Sequence, residues 1–106
     1  MTNEQIAKMN DTFRSTMIRT PRHKTVMTPM VQDSEVVQEI ITAVRNFSEF
    51  TSGNDPHEEH DFGQVTVANE KYFWKIDYYD ESWDYGVDPH EERPNLLLTI
   101  MHCSEY

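Results

Sequence analysis

From Thr2 or Asn3, either of which can cap a helix, Ile6, Met9, Phe13 and Met17 recur at spacings of three and four. That is the stripe of an amphipathic helix, which must end before Pro21 because proline cannot continue the donor ladder. Lys24 to Val31 is rich in Val, Thr and Met, but Pro29 lies within it, so this stretch predicts at most a short edge strand. Asp33 or Ser34 is the expected cap of a second helix, with Glu35 in the first turn where it complements the helix dipole. Val36, Val37, Ile40, Ile41, Val44 and Phe47 form a wide apolar stripe along that helix.

Beyond Phe50 the pattern changes from a helical period to alternation. Thr51 to His60 is polar and carries the turn cluster Ser52-Gly53-Asn54-Asp55-Pro56. Phe62 to Ala68 then reads as a strand, Asn69-Glu70 as a short turn, and Lys71 to Tyr79 as a second strand. In the second, Tyr72, Trp74, Ile76 and Tyr78 face one way and Phe73, Lys75, Asp77 and Tyr79 the other. A loop from Asp80 to Pro94 leads to a last strand, Asn95 to Ser104. The order α-β-α-β-β-β predicts an α+β fold, two helices packed on a small antiparallel β-sheet, in a single domain spanning residues 1–106.

Composition narrows the class. Hydrophobic residues make up 37% of the chain, enough for a thin packed core and too much for a disordered acidic tail. No apolar run exceeds the three residues of Leu96-Leu97-Leu98, and the N-terminus lacks a basic-then-apolar signal pattern, so the expected location is cytoplasmic with no membrane contact. Cys103 is the sole cysteine, which rules out an intrachain disulfide. The net charge of −10 is unevenly placed: residues 1–50 hold six Lys/Arg and six acids, residues 51–106 three Lys/Arg and thirteen acids. Such a field repels nucleic acid and favours cationic partners or metal ions. The basic residues Arg14, Arg19, Arg22 and Lys24 form a small countervailing patch.

The acids are concentrated in two loops that carry the same pentapeptide, Asp55-Pro56-His57-Glu58-Glu59 and Asp88-Pro89-His90-Glu91-Glu92. In a meander, the start of one strand, the end of the next and the start of the third share one end of the sheet, so both copies are expected there. That end would hold Asp55, Glu58, Glu59 and Asp61 with Asp80, Glu81, Asp84, Asp88, Glu91 and Glu92. The plain reading is turn chemistry, with Asp55 and Asp88 capping single turns and the glutamates solvated. Against it stands the cost of crowding like charges, which points to an acidic surface for a basic partner. A third reading places a metal or catalytic site there, using His57, His60, His90 and nearby carboxylates.

Other motifs are weaker. Asp77 shares a face with Lys75 and is expected to be ion-paired rather than an acid/base partner of Asp80. Asp61-Phe62-Gly63 matches a kinase magnesium triplet without any companion motif. His102 and Cys103, adjacent in a strand, should face opposite sides, leaving the thiol buried and inert. Trp83 and Tyr85, aromatics set among carboxylates, suit a hot spot facing Arg or Lys, or simply pin the loop to the sheet.

Asn54-Asp55-Pro56-His57-Glu58-Glu59-His60-Asp61-Phe62-Gly63, Phe73-Trp74-Lys75-Ile76-Asp77-Tyr78-Tyr79-Asp80, Leu98-Thr99-Ile100-Met101 and Ser104-Glu105-Tyr106, with the Met9-Asn10-Asp11 and Phe13-Arg14 run, resemble a family of small bacterial domains of unknown function found in proteobacterial genomes, plasmids and phages. Relatives in that family often carry a glycine in the first acidic loop, where this chain has Glu58 and Glu59. The resemblance brings no assigned activity, but the mobile-element setting, small size and acidic face are similar to those of inhibitors of bacterial defence, including anti-CRISPR proteins. The expected function is therefore a non-enzymatic inhibitor without a cofactor, which mimics nucleic-acid charge and blocks a Lys/Arg-rich channel of a nucleic-acid-handling complex such as CRISPR-Cas. Its expected contact residues are Glu58, Glu59, Asp80, Glu81, Trp83, Asp84, Glu91 and Glu92. The alternatives are a metal-dependent enzyme built on His57, His60 and His90, and a plain structural or regulatory partner protein.

Overall fold

A computed structural model describes residues 1–106. Helix α1 spans Asn3–Thr16. Thr2 caps it reciprocally with Gln5: the Thr2 hydroxyl accepts the Gln5 N–H and the Gln5 side chain accepts the Thr2 N–H. The helix stops at Met17, whose left-handed φ of 47° turns the chain out while its N–H closes on the Phe13 carbonyl. Strand β1, His23–Met27, lies at a sheet edge as expected. Pro29 is not part of that strand. It opens a single-turn helix, α2, Pro29–Gln32, because its fixed φ suits the first helical position, where no N–H is needed. The next helix, α3, Val37–Arg45, consequently starts later than Asp33 or Ser34, and neither caps it. The Ser34 hydroxyl instead accepts the Val36 N–H in the lead-in turn.

Strands β2, Phe62–Val67, β3, Glu70–Tyr79, and β4, Asn95–His102, form an antiparallel meander, and a 3-10 turn, Cys103–Glu105, closes the chain. The turn between β2 and β3 is Ala68-Asn69, one residue earlier than the sequence suggests. Both residues have positive φ, 51° and 64°, the signature of a two-residue hairpin turn whose twist matches the strands.

The sheet order is β1-β4-β3-β2, with β1 parallel to β4. The fold is α+β as expected, but the sheet is mixed rather than antiparallel and it carries three helices rather than two. No hairpin constrains β1. The chain leaves it through α2, α3 and a long loop, so its direction is set by packing against β4 and not by a tight turn. The core lies between the helices and one sheet face, where Trp74, Ile76, Leu96, Leu98 and Ile100 meet Phe13, Val31, Ile40 and Val44. No helix is long and apolar enough to cross a membrane.

Candidate functional site

The two pentapeptides meet. β2 begins, β3 ends and β4 begins at one end of the sheet, and there Glu59 of the first copy lies 3.7 Å from the His90 ring of the second. Each aspartate spends its carboxylate on its own turn. Buried Asp55 accepts the Glu59 and His60 N–H groups at 3.2 and 3.1 Å. Asp88 accepts the His90 N–H at 2.9 Å and faces the same imidazole at 2.8 Å, and these bonds hold its carboxyl below the usual range. Asp80 does likewise at the start of the second loop: desolvation acts to raise it, but bonds from the Asp84 and Tyr85 N–H groups and the Ser82 hydroxyl together win and lower it.

Helix α1 receives the first loop with side chains the sequence reading did not assign. Ile6, Asn10 and Arg14, spaced by four, share its buried face. The Asn10 amide donates to the Glu59 carbonyl at 3.0 Å and to the Tyr78 hydroxyl at 2.9 Å, and that hydroxyl donates to the Glu59 carboxylate at 3.3 Å. His60 is clamped between Asp11, at 2.8 Å, and Asp55, at 3.5 Å, with its ring stacked on Phe50. Burial raises the Tyr78 phenol far above its ordinary range against the lowering effect of Asn10, and the charges of Asp61 and Glu59 reinforce it. Burial also raises Asp61, with repulsion from Glu59 next in size. The signal for this network was the presence of Asn10 and Arg14 in line with Ile6, polar residues on a stripe that otherwise reads as core.

Arg14 does not belong to a surface basic patch. It is buried, pairs with Asp11 at 3.0 Å, donates to the Val44 and Phe47 carbonyls at the end of α3, and lies over Phe50 and Trp74. Arg22 and Lys24 of the patch reach the acidic end, because β1 runs parallel to β4 and starts there. Arg22 donates to the Asn95 side chain and the Arg93 carbonyl, each at 3.0 Å. Asn95, also buried, donates to the Asp80 and Glu81 carbonyls. Burial, followed by the nearby charges of Arg93 and Arg22, lowers the His23 imidazole. A basic seam therefore flanks the acidic loops on the β1 side.

Among the expected contact residues, Glu58, Glu81, Asp84, Glu91 and Glu92 are exposed and make no ion pair. Glu59 and Asp80 are tied up internally. Trp83 pins its loop: its indole N–H donates to the Pro21 carbonyl at 3.2 Å, and the Lys24 ammonium sits 4.2 Å from its ring. His60 and His90 belong to separate networks, and no group of three His, Cys, Asp or Glu side chains is arranged to hold a metal ion, His57, His60 and His90 included. Asp77 pairs with Lys75 at 3.3 Å as expected. Cys103 differs from expectation. It leaves the strand for the 3-10 turn, is only partly buried, and its sulfur lies 3.8 Å from the His102 ring. That ring caps the turn, accepting the Ser104 N–H, while Glu70 bonds its other nitrogen at 3.1 Å.

The model of one family, "Protein of unknown function (DUF3768)", matches residues 23–105, from β1 through the closing turn. The chain belongs to that family. No curated protein and no solved structure matches it. Both acidic loops of this DUF3768 member lie within the matched stretch, whereas Asn10, Asp11 and Arg14 of α1 precede it.

Proposed function

We propose that this DUF3768 domain acts by binding, as an acidic inhibitor of anti-CRISPR type that occupies a Lys/Arg-lined nucleic-acid channel of a bacterial defence complex. The observation that carries the reading is the set of five exposed, unpaired carboxylates, Glu58, Glu81, Asp84, Glu91 and Glu92, on two loops joined through Glu59 and His90. The same sequence segments use Asp55, Asp80 and Asp88 internally, so the charge left facing solvent is fixed in position by hydrogen bonds rather than carried on a loose tail. Fixed charge of one sign steers a basic partner and resists collapse onto the wrong one.

The test is displacement of labelled DNA from a panel of purified CRISPR effector complexes, using the wild type beside a variant with Glu58, Glu81 and Asp84 and Glu91 and Glu92 changed to their amides. The expected result is displacement by the wild type that weakens as salt rises and is lost in the variant. Displacement unchanged by neutralisation or by salt would refute charge mimicry, and no displacement from any complex would refute the choice of target.

A further inference from the structure

The two edges of the sheet are treated differently. On β1, the bonds to β4 are made by Arg22, Lys24, Val26 and Thr28, leaving His23, Thr25 and Met27 with their backbone groups pointing outward. The chain itself covers half of these six groups, both of His23 and the Met27 carbonyl. Thr20 exchanges both backbone bonds with His23, and the Gln32 side chain donates to the Met27 carbonyl. Lys24 within the strand and prolines at 21 and 29 protect the edge further.

Strand β2 has none of these devices. The Ile76 N–H donates to the Asp61 carbonyl at 2.8 Å, which makes Asp61 and Ile76 a hydrogen-bonded pair. Alternation then places Phe62, Gln64 and Thr66 in non-bonded pairs with Lys75, Phe73 and Lys71, so that their N–H and C=O groups point away from β3. No turn, loop or side chain satisfies these outward groups. Phe62–Val67 contains neither charge nor proline. Beside it an open groove of about 440 Å³ runs between α3 and β2, lined by Ala43, Phe47, Glu49 and Val65 among others. An uncharged, unprotected edge of this kind is a template for strand addition.

We propose that β2 is a dimerisation edge, through which two copies of this chain pair antiparallel, Gln64 against Gln64, into one continuous eight-stranded sheet. In that register Phe62 and Thr66 of each copy face Thr66 and Phe62 of the other, and every outward backbone group of all three residues gains a partner. Val65 falls opposite Gly63, the one position on the strand without a side chain. The antiparallel arrangement also sends the two acidic ends to opposite extremes of the joint sheet, so the charge of −10 per chain opposes pairing least. This proposal does not rest on the acidic surface, and it predicts the opposite salt dependence: screening the residual repulsion strengthens the dimer.

Light scattering across a concentration series should show the mass rising from 12.6 kDa toward twice that value, and rising at lower concentration in higher salt. Gln64→Pro removes an outward N–H without touching the β2–β3 ladder, and Thr66→Lys places a charge on the edge. Each should hold the chain at monomer mass while keeping the wild-type circular dichroism, and Thr66→Lys decides the matter if the proline variant does not fold. In a Cys103→Ser background, Gln64→Cys should cross-link between copies on mild oxidation, since facing residues of a bonded pair sit ~5.5 Å apart, within disulfide reach. Thr66→Cys should not cross-link. A monomer at every concentration and salt, a dimer indifferent to Thr66→Lys, or equal cross-linking at both positions would overturn the proposal.

Discussion

Replacing Gly63 by alanine isolates one requirement of the Asp61-Phe62-Gly63 segment. A Cβ at this position would stand 2.5, 2.7 and 2.8 Å from Nε1, Cε2 and Cζ2 of Trp74, whose ring lies flat against the strand and is fully buried. The obstacle is the rigid body of an indole, packed in turn against Phe47 and Phe50 and under the Arg14 guanidinium, so no flexible chain end can move aside. Displacing that ring disturbs the contacts between sheet and α3, and overpacking of this kind costs about 2–3 kcal/mol, or a fall in Tm of roughly 10–20 °C for a domain of this size. Urea and thermal unfolding of Gly63→Ala would measure it. Combining the change with Trp74→Phe, which removes the atoms in conflict, should give a cost smaller than the sum of the two single changes by about 1 kcal/mol. If Gly63→Ala unfolds within about 0.5 kcal/mol of wild type, or if the two changes are additive, the close approach is not what demands glycine.

Arg14→Ala leaves the Val44 and Phe47 carbonyls without their charged donor and should destabilise by at least about 3 kcal/mol in urea unfolding, with Arg14→Lys recovering less than half because an ammonium cannot reproduce the planar fork. Glu58 has a φ of 57°, so Glu58→Gly relieves left-handed strain and should raise stability by up to about 1 kcal/mol, measured by the shift in Tm. Asp61, raised in the folded protein, holds its proton to higher pH there than in the unfolded chain. Its stabilising protonation is complete below the ordinary value of 3.8 and is lost as pH rises through the raised one. Asp61→Asn should therefore exceed the wild type in Tm at neutral pH, with the gap closing in acid.

The meander was legible because each of its strands alternates and each is bounded by turn residues, so Tyr72, Trp74, Ile76 and Tyr78 could be assigned to one face from spacing alone. The direction of β1 was not, because strand pairing across a long connection depends on contacts that no local pattern encodes. Pro29 was misleading for a related reason: the same residue that is barred from a strand interior is favoured at the start of a helix, and only the chain around it decides between them. At the site, the meeting of the two pentapeptides followed from topology, and the turn-forming role of their aspartates from residue type. The burial of Asn10 and Arg14 did not follow, because a polar residue on an apolar stripe can equally end at the surface. What settles it is the set of carbonyls and the phenol waiting across from α1.

The repeated Asp-Pro-His-Glu-Glu segment divides its work by position. The aspartate closes the turn with its carboxylate, in the first copy on two N–H groups and in the second on one together with an imidazole. The glutamates behind it are carried outward, except Glu59, which Tyr78 and His90 hold at the seam. Charge removed at an aspartate and charge removed at an exposed glutamate are thus different perturbations, although each subtracts one negative charge from the same loop. Asp55→Asn weakens a buried acceptor of two backbone bonds and should loosen the loop, lowering Tm whatever the partner. Glu58→Gln, Glu91→Gln and Glu92→Gln should leave the free energy of unfolding within about 0.5 kcal/mol of wild type, as surface changes do. If the acidic surface is the working one, binding must fall with the second set while the fold stays intact. If binding falls only with Asp55, the loop matters for its shape and not for its field.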